Sequence, residues 1–160
     1  MTRKADFSRE AICKQYDIAY RTHFPEKTTF IPFPIELNHS EEEIQPYHHQ
    51  NRKIRFFIGI QRHRTALKGT DIMLRALERL VTKYPERAEM IKAESVPFTQ
   101  YKEMMRSSDV LLDQIYSYTP AMNALLAMSQ GLILVGGGEE ENYEILNERQ
   151  LRPIVNVQPN

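Results

Sequence analysis

IRFFIGIQRHRTALKGTDIMLRALERLVTKY, residues 54–84, decides the fold. Ile54 to Ile60 is an apolar run of strand length, the pattern of a strand buried on both faces. From Thr70 to Tyr84 the residues Met73, Leu77, Leu80 and Tyr84 recur at helical spacing, with Arg75, Glu78, Arg79 and Lys83 between them. That spacing predicts an amphipathic helix with one apolar stripe. Gln61 to Lys68, between the two, reads as a basic loop. Strand, loop and packed helix together open a βαβ unit.

Downstream the alternation continues. Ala88 to Ala93 reads as a strand and Pro97 to Arg106 as a helix with Phe98, Tyr101 and Met105 inward. Asp109 to Leu112 is a short buried strand. Thr119-Pro120 then supplies an N-cap and a first-turn proline for a helix that Gly131 closes. Ala121 to Gln130 carries no charge, which predicts enclosure on most sides. Leu132 to Val135 is the next strand. Gly136 to Gly138 precede Glu139 to Glu141, acids placed against the positive end of a short helix running to about Leu146. Pro153 to Val157 reads as a last strand. The expected fold is α/β: a doubly wound, mainly parallel sheet covered on both faces.

Upstream the signal is weaker, so residues 1–51 are set apart from a domain at 52–160. Ile12, Tyr16 and Ala19 or Tyr20 suggest a helix over 11–20, Thr29 to Ile31 a strand stopped by Pro32 and Pro34, and residues 38–51 a polar loop. Lys plus Arg number 21 and Asp plus Glu 21, which removes any bulk electrostatic case for nucleic acid. Cys13 stands alone, so no internal disulfide or two-cysteine metal spacing exists. No apolar run reaches the roughly 20 residues of a membrane span, and no signal-peptide core opens the chain. The expected location is cytoplasmic, with peripheral attachment at the inner membrane as a variant. The polar start and the apolar run near the end read as a portion of a longer protein.

In an open α/β sheet, ligands settle beyond the carboxyl ends of the strands. Three loops stand out there. The first carries Arg62, His63, Arg64 and Lys68; the second runs from Asp113 through Gln114, Tyr116, Ser117 and Tyr118 to Thr119; the third is Gly136 to Gly138. Cations, a helix N-terminus at Thr119, Ala121, Met122 and Asn123, and the bare backbone of Gly137 and Gly138 make an anion site suited to phosphate or diphosphate. The alternatives are a solvated basic loop, a plain glycine turn, and Tyr116 and Tyr118 packed at a strand end. His48 and His49 have no third ligand at a suitable spacing, so no metal is expected. Neither a phosphate-binding nor a dinucleotide glycine motif is present.

Three stretches in order, KGTDIMLRALERL (68–80), VPFTQYKEMMRSSDVLLDQ (96–114) and ALLAMSQGLILVGGGEEENYEIL (124–146), make residues 53–157 resemble the C-terminal, donor-binding half of GT-B glycosyltransferases of family 4, the glycosyl transferases group 1. The resemblance implies a Rossmann-like half of a GT-B fold and retaining transfer of a sugar from a nucleotide-diphosphate donor to a glycan or lipid-linked acceptor, in polysaccharide assembly. It implies no required cofactor or metal, and an N-terminal domain, absent here, that presents the acceptor. Lys68 matches the diphosphate lysine, and Arg62 or Arg64 takes the place of the companion arginine. Ser95 to Phe98 falls where the base is contacted. Tyr118 and Leu126 stand where the family carries two glutamates, and Ala121 where a glycine is common. Tyr118 is thus the candidate catalytic residue, able to hydrogen-bond or stack but without a carboxylate's charge. The departures keep a second reading open: a non-catalytic binding or scaffold domain of the same fold. A receiver-type signalling domain and a sugar-nucleotide epimerase stand further back.

Overall fold

The computed structural model describes residues 23–29, 31–35, 52–116 and 120–158. Five strands form one sheet: β1 (Ile54–Ile60), β2 (Ala88–Glu94), β3 (Val110–Leu112), β4 (Ile133–Gly136) and β5 (Ile154–Asn156). Every neighbouring pair is parallel, in the order β2-β1-β3-β4-β5. The helices are α1 (Thr65–Lys68), α2 (Thr70–Lys83), α3 (Phe98–Arg106), α4 (Met122–Ser129) and α5 (Glu140–Ile145). The fold is the doubly wound, Rossmann-like parallel sheet that the alternating pattern predicts.

Side-chain alternation along β1 divides the interior in two. Ile54, Phe56, Ile58 and Ile60 join Met73, Leu77 and Leu80 of α2 on one face. Phe57 on the other face packs with Met105 of α3 and Ala124 and Ala127 of α4. The first face is covered less completely than expected. Ile133, opposite Val110, stays 47% exposed, and Val155, opposite Val135, stays 52% exposed. Among the described residues, helical cover on that face stops short of β4 and β5.

Several local expectations change. The basic loop at 61–68 folds into a 3-10 turn at Arg62–Arg64 followed by the single turn α1. Gly69 ends that turn at φ +68°, a left-handed conformation that glycine adopts without steric cost, and α2 begins on the next residue. Tyr84 lies just past α2, exposed, its N–H donating to the Leu80 carbonyl. Phe98 is 66% exposed instead of inward, because it opens α3 at the sheet rim while Tyr101 and Met105 take the core side. The uncharged helix begins at Met122 with Ala121 as its cap residue, so Pro120 precedes the helix instead of occupying its first turn. Of that helix only Ala124 and Ala127 are buried, and Met122 is exposed. Thr29 and Ile31 belong to no strand. The expected helix at 11–20, the loop at 38–51, Cys13 and His48-His49 lie outside the described residues, as do Tyr118 and Thr119.

Asp109 fastens the amino end of the sheet. Its carboxylate takes two hydrogen bonds from the Arg52 guanidinium, at 2.8 and 2.6 Å, and a third from the Arg55 backbone amide at 2.8 Å. Burial pushes the Asp109 pKa up, but Arg52 and the Arg55 amide together hold it below the ordinary carboxylate range. At the other end, a Cβ on Gly138 would lie 2.7 Å from Cγ2 of Ile154, so β5 packs on bare backbone there.

Asp109→Ala leaves the Arg55 amide without its acceptor and is expected to cost about 1–3 kcal/mol in urea unfolding at neutral pH. Because the folded pKa is depressed, that contribution is present above the ordinary carboxylate pKa of ~3.9 and is lost as pH falls through the folded value. An equal difference between variant and parent at pH 7 and pH 2 contradicts this account. Gly138→Ala is expected to destabilise by about 1–3 kcal/mol through overpacking against Ile154, and an unchanged unfolding midpoint would show that β5 shifts freely.

Candidate functional site

The crossovers leave β1 toward β2 on one side and return to β3 on the other, so the loops diverge at the carboxyl ends of β1 and β3. A cleft of ≈360 Å³ opens there. Gly59, Ile60 and Gln61 come from the end of β1, Asp113 from the end of β3, and Asn123 from α4. Lys68 and Thr70 flank Gly69, and Ser95, Val96, Phe98 and Tyr101 line the β2 side.

Alternation along the strands explains the floor. Gly59 and Asp113 continue the face of Phe57 and Leu111. Gly59 offers no side chain, and Tyr101 fills the space: its hydroxyl lies 2.5 Å from where a Gly59 Cβ would stand, and its ring meets Phe57 edge-on. The Asp113 amide still donates to the Val135 carbonyl, so the residue is anchored on the last rung of the sheet.

A chain of hydrogen bonds crosses this floor. The Tyr101 hydroxyl donates to Asn123 Oδ1 at 2.8 Å, and Asn123 Nδ2 donates to Asp113 Oδ1 at 3.4 Å. Burial pushes the Asp113 carboxyl above the ordinary carboxylate range, against the opposing pull of the Asn123 amide, the Gln114 backbone amide and the Lys68 charge. Burial, with the Asp113 charge adding to it, pushes the Tyr101 phenol up to about 12. Burial and then the Arg64 charge lower the Lys68 pKa, with Asp113 pulling the other way. The Thr70 hydroxyl, at the first residue of α2, is buried and has no hydrogen-bond partner among the described residues. A partly desolvated ammonium and a helix N-terminus therefore line the same cleft.

The residues picked out in the sequence divide. Lys68 and Asn123 line the cleft. Arg62 stands at the rim, ion-paired to Glu94 of β2, which raises its pKa and ties it to the sheet edge. Arg64 is exposed, within electrostatic reach of Lys68. Ala121 and Met122 begin α4 without lining the cleft, and Met122 is exposed. Gly137 and Gly138 are buried and do not line it. Their amides are used within the fold, Gly137 donating to the Gln114 carbonyl at 3.2 Å and Gly138 to Asn156 Oδ1 at 2.9 Å. At Gly138 the bare backbone is a packing surface for Ile154 of β5. Sequence reading placed Asp113 in a loop at the site without giving it a role, and left Tyr101 and Thr70 out of the candidate set. Asp113 was visible as an acid directly after a strand, whereas its ties to Tyr101 and Asn123 carried no local signal.

Raising the Asp113 pKa by burial has a stability consequence with a defined sign. The penalty of its charge is absent below the ordinary carboxylate pKa, ~3.9, and grows as pH rises from there through the higher folded value. Asp113→Asn is therefore expected to stabilise the protein at pH 7 and to lose that advantage near pH 3.5, read by urea unfolding at the two pH values. Destabilisation at pH 7 would contradict the carboxyl's strained burial.

No protein-family model matches the chain, and no curated protein sequence matches it. Among solved structures it is similar to WaaG, a glycosyltransferase involved in lipopolysaccharide biosynthesis, at 15% identity and a TM-score of 0.50. The superposition covers 86% of this chain and 46% of that one, so the chain spans about half the length of this neighbour. No helix among the described residues is long and apolar enough to cross a membrane. What the likeness shows is a glycosyltransferase-like Rossmann fold.

Proposed function

We propose that the chain is the donor-binding, C-terminal half of a retaining GT-B glycosyltransferase of family 4, and that its cleft takes a nucleoside-diphosphate sugar. The observation that carries this reading is that Lys68 and the first turn of α2 line one cleft at the carboxyl ends of β1 and β3. A diphosphate there faces the positive end of the helix dipole and pairs with the ammonium. As the sugar–phosphate bond breaks, Lys68 stabilises the charge gathering on the leaving diphosphate. Arg64 supplies a second positive charge nearby, while Arg62 is held by Glu94. The exposed ring of Phe98 and the backbone from Ser95 give the nucleobase a wall. Asn123, in the first turn of α4, lies beside the sugar in this reading. Gly137 and Gly138 shape the fold without touching the donor. The reaction requires no metal, takes place in the cytoplasm, and uses a glycan or lipid-linked acceptor brought by a second domain.

The scaffold reading keeps one specific support. Asp113 is the sole carboxylate lining the cleft among the described residues, and Leu126 packs against the core. A protein of this kind binds nucleotide without transferring sugar.

Calorimetric titration with UDP, GDP and ADP tests the donor site. One of the three is expected to bind, and Lys68→Ala to weaken it about tenfold to a hundredfold, the worth of a charge-assisted hydrogen bond. Undiminished affinity in the variant removes Lys68 from the site. Release of nucleoside diphosphate from the matching sugar nucleotide, followed with an acceptor extract, separates the enzyme from the scaffold.

A further inference from the structure

The anion end of the cleft leaves the chemistry of its floor unused. Asp113, Asn123 and Tyr101 present a carboxyl, an amide and a phenol joined in one chain. The direction of that chain is fixed from the tyrosine, whose hydroxyl donates to Oδ1 of Asn123 and so turns the amide nitrogen toward Asp113. A carboxylate has room for about four hydrogen bonds, and this one receives those of the Asn123 amide and the Gln114 backbone amide. Acceptor capacity therefore remains on a carboxyl that lines the cleft.

The group set decides what chemistry fits. A second anion is disfavoured beside a carboxyl. A metal ion is poorly served, since no cluster of three His, Cys, Asp or Glu side chains occurs among the described residues. A neutral polyol suits it: its hydroxyls donate to the carboxyl and accept from the second N–H of the Asn123 amide, the Tyr101 proton being already given to Asn123.

We propose that Asp113, Asn123 and Tyr101 form a hydroxyl-binding subsite that holds the sugar ring of the ligand whose diphosphate lies at Lys68. The assignment rests on the donor reading of the cleft and adds to it the residues that recognise the sugar. Asp113 is the binding group; Asn123 both binds and orients it; Tyr101 is a positioning residue acting through Asn123. Because Asp113 opposes anions and accepts from hydroxyls, its removal has opposite effects on the two parts of one ligand.

The test compares UDP with UDP-glucose, GDP with GDP-mannose and ADP with ADP-glucose by calorimetry on the parent chain and on Asp113→Asn, Asn123→Ala and Tyr101→Phe. Thermal unfolding of each variant establishes that it is folded. For the nucleotide that binds, Asp113→Asn is expected to leave the affinity of the nucleoside diphosphate unchanged or raised and to weaken the sugar nucleotide about tenfold relative to it. Asn123→Ala should act in the same sense, Tyr101→Phe more weakly, while Lys68→Ala weakens both ligands alike. Equal shifts of both ligands in the floor variants, or no shift in either, overturn the subsite and leave the donor site standing. If the parent chain binds no nucleoside diphosphate at all, the donor reading falls, and the subsite with it.

Discussion

The position of β1 governs this molecule. It is first in sequence yet second in the sheet, paired with β2 along seven residues and with β3 along three. A chain that leaves one strand and returns on its other side must part its loops above that strand. The cleft is that parting. Its walls come from segments as far apart in sequence as Gly59 and Asn123, and the sheet's hydrogen bonds hold them in register. The Asp109 clamp at the opposite end serves the same geometry, tying the segment before β1 to the start of β3.

Two charged groups that line the cleft sit in opposite electrostatic settings. Around Lys68, burial works against a positive charge; around Asp113, it works against a negative one. Each disfavours the ionised form alone, and each is eased by the other. Paired titratable groups with strained ionisation in a concave site are a recurrent mark of ligand-binding surfaces, because a fold selected for stability alone would have replaced them with apolar side chains. The Thr70 hydroxyl is a buried polar atom without a hydrogen-bond partner among the described residues, the kind of exception that calls for an explanation.

Local regularities were legible in the sequence, and the pairings across the sheet were not. The apolar run of β1 and the heptad-like stripe of α2 are properties of a dozen residues and appear as read. Phe98 has the right spacing from Tyr101 and Met105, yet periodicity says nothing about where a helix begins relative to the sheet edge, and its first residue overhangs. A glycine run signals close approach without saying of what. Ligand and protein backbone leave the same trace, and here Gly138 meets Ile154. Lys68 and Asn123 were found because a basic loop and a helix start are local features. Tyr101 was read as a core residue, which half describes it: its ring is packed against Phe57 while its hydroxyl reaches the cleft.

The space between Gly59 and Tyr101 couples two sites that are distant in the chain. With the phenol oxygen 2.5 Å from where a methyl would begin, neither residue can be exchanged without regard to the other. In any lineage of this protein, enlargement at 59 must be accompanied by shrinkage or withdrawal at 101. A redesign that widens the chamber would start by trimming the aromatic ring, never by decorating the strand.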